Sequence, residues 1–287
     1  MGDQPVVAVV APLTGPRAAW GAVLLAQVEQ ARAEGSGACA WHVHDETSGA
    51  AAVIAAGGYA AVVGHSDGEL ARAAVPAYQA AGVPCLLPFV RAGDWPLSWA
   101  PDDTALARTV AEGAVALGAD ALSVVHDRGD AWAGLARRIR KEAAAAGLAD
   151  GPSGALAVLA AQERFAHFLE AAGPGPVLTP ADCGVPAFAS LAAAARGRTV
   201  WAVHPQTCAV RRARTAVTAL TEALSDAPAL RGPALSAAIR ARSGALLTAT
   251  SGVLGDGWRI SRLPAVCHLR SASRGTPCTP FGRHARY

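Results

Sequence analysis

Lysine is almost missing from this 287-residue chain: Lys141 stands alone, so positive charge rests almost wholly on arginine. That pattern fits a GC-rich genome better than a functional demand. The formal net charge is only +3 and the arginines form no single stripe, which argues against a nucleic-acid partner. Charged residues make up 16% of the chain and aromatics 5%, yet no apolar run approaches the roughly 18 residues a membrane span needs. Cysteine is scattered over six positions (Cys39, Cys85, Cys183, Cys208, Cys267, Cys278) with no C-x-x-C pair. Such thiols read as small buried hydrophobes, and sequence alone does not say whether Cys183 and Cys208 meet. There is no basic-then-apolar opening and no cysteine placed for a lipid anchor. The expectation is therefore a cytoplasmic protein as the chain stands, and an extracytoplasmic one if a leader has been removed. No cofactor and no metal are expected.

What the chain has in quantity is alanine, which favours close-packed helices. The stretch that organises it is Tyr59 to Pro88, read as strand, Gly-flanked turn, helix and short strand. Ala60 to Val63 is an apolar run closed by Gly64, as in a buried parallel strand. Glu69 to Ala80 places Leu70, Ala73, Ala74 and Ala77 at helical spacing and stops at Gly82 and Pro84. The residues between, His65 to Glu69, face free backbone N–H groups and the positive end of a helix dipole. In an open α/β sheet that edge is where ligands bind.

Two readings of the turn compete. Gly64-His65-Ser66-Asp67-Gly68 matches the G-x-S-x-G nucleophile elbow of α/β-hydrolases, with Asp182 and His268 as the remaining acid and base. The other reading is an anchoring loop without chemistry. No His-Gly oxyanion motif precedes Ser66, and the elbow falls after the third strand, too early for that fold, so binding is favoured over hydrolysis.

The remaining chain repeats the alternation. Pro5 to Val10 is a first strand, Ala18 to Glu34 a helix, Ala38 to His44 a second strand, and Asp45-Glu46-Thr47-Ser48 opens an alanine-rich helix. Thr104 to Leu117 is a helix, Asp120 to His126 a strand, and Leu135 to Ala146 a helix. Further helices are expected at Gln162–Ala172 and Val185–Arg196, and strands at Gly175–Thr179 and Thr199–Val203. Strand-helix repetition of this kind specifies doubly wound parallel sheets. His42 and His44, two apart on a strand, share one face. Metal ligands use such spacing, but neither a cysteine nor a third histidine lies nearby in sequence, and a half-buried strand face is the favoured reading. His65, His126 and His204 each follow a strand.

With these segments in place, the first lobe resembles the type I periplasmic binding proteins of the branched-chain amino acid (Leu/Ile/Val) ABC transporter class. Leu13-Thr14-Gly15-Pro16 and Trp20-Gly21 fit its opening loop and helix, and Asp45 stands at the end of the second strand. VVGHSDGELARAAVPAYQAAGVPCLLP is similar to its third strand, turn and helix, and Trp99-Ala100-Pro101-Asp102-Asp103 to its approach to the next helix. His126-Asp127 followed by Trp132-Ala133-Gly134 resembles its second-lobe opening. After Val203 the chain departs from the pattern: His204 to Arg214 replaces a longer segment. Thr215–Leu224 and Pro233–Ala241 resemble the late helices, and Leu246–Ser251 with Gly257–Leu269 a closing hairpin about Gly255-Asp256-Gly257.

The resemblance implies an α/β protein of two Rossmann-like lobes, each a parallel sheet sandwiched by helices, in a shortened form. Residues 1–102 with 209–242 would form one lobe and 103–208 with 243–270 the other, with 271–287 a disordered tail. It also implies non-catalytic binding of a small metabolite (amino-acid-like, amide, or another small polar or aromatic molecule) in an interlobe cleft. The chain would then be an ABC-transporter substrate-binding protein or a ligand sensor, with a permease or a regulatory protein as partner; a degenerate fold used for protein docking is the further alternative. The positions matching the family's carboxylate site are Gly68 and Glu69, with Phe89, Val90 and Arg91 beyond the next strand. His65 and Ser66 lie in the same turn, and Trp20 and Trp132 are placed to sandwich a flat or apolar ligand. Asp127 and Asp182 are second-lobe carboxylates, and Gln206 occupies the region of the family's ammonium partner. Because Glu69 opposes an anion and serine donors are mostly lost, a neutral or cationic ligand is expected, with Arg91 the remaining fork for a carboxylate. Glu69 is expected to cap the helix itself.

Overall fold

Uninterrupted valine and alanine runs become the central strands of two sheets in the computed structural model. It describes residues 4–263 apart from 16, 35–36, 48, 161–163, 170–174, 183, 187, 195–198 and 244–257. In chain order the elements are β1 (Val6–Ala11), α1 (Ala18–Ala33), β2 (Ala40–Asp45), α2 (Ala50–Ala56), β3 (Ala61–Gly64), α3 (Gly68–Ala80), β4 (Cys85–Leu87) and β5 (Leu97–Ser98). Then come α4 (Asp103–Ala116), β6 (Leu122–His126), α5 (Asp130–Ala145), β7 (Ala155–Leu159), α6 (Phe165–Leu169), β8 (Val177–Pro180), α7 (Phe188–Ala194) and β9 (Val200–Pro205). The last are α8 (Ala209–Asp226), α9 (Gly232–Ser243) and β10 (Trp258–Arg262). The chain divides into two compact units, one from the described residues of Met1–Asp102 and Ala209–Asp256, the other from those of Asp103–Cys208 and Gly257–Tyr287.

The sheet of the first unit has the order β2-β1-β3-β4-β5, all parallel. The interior strand β1 is fully buried from Val7 to Ala11, with β2 and β3 on either side of it. Alternation of side chains sends Ala8 and Val10 to one face, where they pack with Ile54 of α2 and Ala71, Ala74, Val75 and Tyr78 of α3. α1 packs on β1 and on α8, burying Leu24, Val28 and Ala31. Gly21 allows this: a Cβ there would stand 2.1 Å from the Pro12 carbonyl oxygen.

The sheet of the second unit has the order β10-β9-β8-β7-β6, parallel except for the antiparallel edge strand β10. Both faces are covered. Ala155, Ala157 and Leu159 of β7 pack with α4 and α5, while Val158 and Ala160 pack with Phe165, Phe188 and Leu191. α5 shows why its sequence is helical: Leu135, Ala136, Ile139 and Ala143 line one buried stripe. The expected architecture of two α/β sheets of mostly parallel strands flanked by helices is thus present. Two strands escape a sequence reading: β5, only two residues long, and β7. The expected strand at Leu246–Ser251, the turn at Gly255-Asp256-Gly257, His268, Cys183, Cys267, Cys278 and the tail 271–287 lie outside the described residues.

Candidate functional site

In the first unit the parallel register brings the carboxyl ends of β1, β2 and β3 to one edge. Ala11 pairs with Asp45 and Val10 with Gly64, so Glu46 and His65 emerge side by side beyond β1. The Glu46 N–H donates to the Ala11 carbonyl and the His65 N–H to the Val10 carbonyl, both at 3.0 Å. Gly64 is dictated by this crossing. Its φ is +145°, and a Cβ would lie 1.9 Å from the Val10 oxygen. His65 follows at φ +62°, a left-handed conformation costly for a non-glycine residue and held by its surroundings.

Those surroundings are a buried polar chain. The side chains of Glu46 and His65 are each 2% exposed. His65 Nδ1 lies 3.2 Å from Glu46 Oε1 and its Nε2 3.1 Å from the Tyr78 hydroxyl. Glu46 also accepts from the Ser66 N–H at 2.9 Å, the Asp67 N–H at 3.0 Å and the Ser66 hydroxyl at 2.7 Å. Burial alone would raise the Glu46 carboxyl, but the hydrogen bonds from His65, the Asp67 backbone and Ser66, together with attraction to His65, hold it below its ordinary value. Burial, aided by nearby Cys85 and Glu46, pushes the Tyr78 phenol up.

The start of α3 is treated the same way. Asp67, in extended conformation, is the N-cap, and its Oδ1 accepts from the Glu69 and Leu70 N–H groups at 2.8 and 3.1 Å. Asp67 also pairs with Arg17 at 3.3 Å, and Arg17 donates to the Ser66 carbonyl. The cap is therefore Asp67 and not the expected Glu69, which sits exposed in the first turn. A residue one position inside the helix no longer has the extended backbone that turns a side chain back onto the free N–H groups.

The other first-unit positions fall around this edge. Trp20, half-buried at the start of α1, meets Phe89 edge-on at a centroid distance of 5.3 Å. The Val90 carbonyl accepts from Ser98 Oγ at 2.9 Å. Arg91 stands between two carboxylates of the chain, 3.7 Å from Asp94 and 3.8 Å from Asp102. Gly68 opens α3 and is half-buried.

In the second unit, Asp127 follows β6 and is 8% exposed; its Oδ1 accepts from the Arg128 N–H and from Arg164, each at 2.8 Å. Asp182 follows β8, is 3% exposed, and accepts from the Gly184 N–H at 2.9 Å. His204 at the end of β9 is buried, which lowers its pKa despite the Pro205 carbonyl and Asp182. Gln206 is exposed, and Trp132 packs half-buried against the core of this unit.

Sequence reading missed Glu46, Tyr78 and Arg17 as members of one cluster. Glu46 sits in a stretch that reads as a helix start, and only the pairing of β1 with both β2 and β3 shows that it reaches the β3–α3 turn. Of the elbow reading's residues, Ser66 donates its hydroxyl proton to the Glu46 carboxylate, while His268 lies outside the described residues.

No protein-family model and no curated protein matches the chain. Solved structures do. A leucine-binding protein, LivK, from Thermotoga maritima superposes with a TM-score of 0.69 at 16% identity, over 82% of this chain and 87% of that one. The branched-chain amino acid transporter substrate-binding protein LivJ from Streptococcus pneumoniae, solved with isoleucine, gives 0.66 at 14% identity over 91% and 100%. A type 1 periplasmic binding protein from Bordetella pertussis gives 0.63 at 14% identity over 83% and 88%. This chain has the type I periplasmic binding protein fold.

Proposed function

We propose that the chain binds a small metabolite without transforming it, as the recognition component of a transporter or a ligand sensor, and that the ligand carries no carboxylate at the β3–α3 turn. Structural neighbours named as leucine- and branched-chain-amino-acid-binding proteins support the binding role. The observation that carries the ligand class is Glu46: a carboxylate of the chain already takes the Ser66 and Asp67 N–H groups, while Asp67 takes those of Glu69 and Leu70. Four N–H donors of the turn are thereby taken by the chain's own carboxylates, and Arg91 is offset by Asp94 and Asp102. A further anion at this edge would meet the like charge of Glu46 and Asp67, with four of the turn's N–H groups already engaged. A neutral or cationic molecule with a flat or apolar body suits the Trp20–Phe89 pair better.

The test is calorimetry with thermal unfolding across amides, cationic amines, neutral aromatics and free amino acids. A ligand at a hundred times its Kd stabilises the fold by about 2.7 kcal/mol. At least one neutral or cationic compound is expected to do so saturably, with leucine, isoleucine and valine inactive. Tight leucine binding that survives Arg91→Ala would overturn the ligand class. Silence across the whole panel would overturn binding itself.

A further inference from the structure

The edge strand β2 carries a feature that the ligand reading leaves unused. His42 is exposed and His44 half-buried, two residues apart on one face of the strand, in register with Ala8 and Val10 of β1. Tyr59, just before β3, brings its hydroxyl oxygen to 3.3 Å from His42 Nδ1 and 2.9 Å from His44 Nε2. Both rings stand edge-on to the phenol, at centroid distances of 5.8 and 5.5 Å and an interplanar angle of 82° in each case. Two imidazole nitrogens thus converge on one oxygen. A phenol has a single proton and can donate it to only one of them; the other nitrogen must turn its own N–H toward the oxygen.

We propose that His42 and His44, with Tyr59 as an adjoining oxygen donor, form a surface site for a divalent transition-metal ion, with copper(II) bound most tightly. An ion needs the two nitrogens at about 2 Å, which side-chain rotation on an exposed edge permits. Imidazole and oxygen donors in a tetragonal arrangement suit copper(II), and water completes the shell from the solvent side. Asp45 alternates to the opposite face and its Oδ1 accepts from the Leu13 N–H at 2.9 Å. Among the described residues no group of three or more His, Cys, Asp or Glu is arranged to hold a metal, so this site rests on two imidazoles and a phenol. Affinity should accordingly follow copper above nickel above cobalt, the order set by the metals themselves.

The experiment titrates the full chain, its thiols alkylated beforehand, with copper(II) and with nickel(II), read by calorimetry and by electron paramagnetic resonance. Expected is one copper equivalent whose spectrum shows coupling to two imidazole nitrogens, with nickel bound more weakly. His42→Ala and His44→Ala should each weaken that equivalent at least tenfold and remove one nitrogen from the spectrum. Tyr59→Phe should keep both nitrogens. Because His42 is exposed and His44 is only half-buried on an edge strand, circular dichroism of the histidine variants should match the parent. Unchanged affinity and nitrogen count in both histidine variants, or a copper equivalent retained in full by a protein carrying His42→Ala and His44→Ala together, would overturn the site.

Discussion

The Glu46 carboxylate does for the Ser66 and Asp67 N–H groups what solvent does for most helix starts, and it does so out of contact with water. Removing it leaves two amides, a hydroxyl and His65 without their acceptor, so Glu46→Ala should cost about 3 kcal/mol. The space left matches a small carboxylate. Acetate should therefore raise the melting temperature of Glu46→Ala saturably, while chloride at equal ionic strength and acetamide should not, and the parent should ignore all three. Absence of any acetate response in a folded Glu46→Ala protein would show that the nest does not recognise a carboxylate. The acid limb follows from the same contacts. Folding holds the Glu46 pKa below its ordinary value of 4.5, so its contribution is complete above that pH and drains away as the pH falls through the folded value. Denaturation by urea should find Glu46→Gln less stable than the parent at pH 7, with the gap closing below pH 4.5. A gap that persists unchanged to pH 2 would mean that shape rather than charge is what Glu46 supplies.

The β3–α3 turn works as an element because three backbone demands fall within four residues. Gly64 crosses the Val10 carbonyl, His65 turns left-handed, and Asp67 extends to cap α3. Gly64→Ala should lose more than about 3 kcal/mol, as an overpacked and strained site, and give little folded protein on expression. Asp67→Ala should cost about 1 kcal/mol, the ordinary worth of a cap, with Asp67→Asn recovering most of it; circular dichroism melts check both. The same turn shows what the sequence can and cannot convey. Its strand and helix are legible, because Ala60–Val63 is uninterrupted and α3 repeats apolar residues at helical spacing. That Asp67 rather than Glu69 caps the helix depends on a φ and ψ that composition does not encode. Glu46 lies 20 residues from Ser66, and their meeting depends on β1 pairing with both β2 and β3. Elsewhere β7 is hidden because Ala155 and Ala157 suit a helix as well as a strand. The two residues of β5 are too few to show alternation at all. For His42 and His44 the shared face could be read from their spacing, whereas Tyr59, from another strand's approach, could not.

At the scale of the whole molecule, neither unit is a continuous piece of chain. The first takes α8 and α9 from residues that follow the second unit's four parallel strands, and the second takes its edge strand β10 from later still. The borrowed helices matter energetically. α8 packs on α1, whose Leu24 and Val28 are almost wholly buried, and α9 packs on α8 through its buried Leu235 and Ile239. Arg212 of α8, 2% exposed, donates its Nε proton to the Pro88 carbonyl at 2.9 Å, just beyond β4. A fragment Met1–Asp102 thus keeps all five strands of its sheet but bares the apolar stripe of α1 and leaves the Pro88 carbonyl without its buried donor. Burying two leucine- or valine-sized side chains is worth about 3–6 kcal/mol, a large share of the stability of a domain this size. The fragment should therefore express as an aggregation-prone species that binds an apolar dye and melts without a cooperative transition. Joining Asp102 to Ala209 through about ten Gly/Ser residues, with a root-mean-square reach of about 16–19 Å, and ending at Ser243 should restore a cooperative melt. A fragment Met1–Asp102 that melts as sharply, and at the same temperature, as the joined chain would show that α8 and α9 rest on the first unit without completing it.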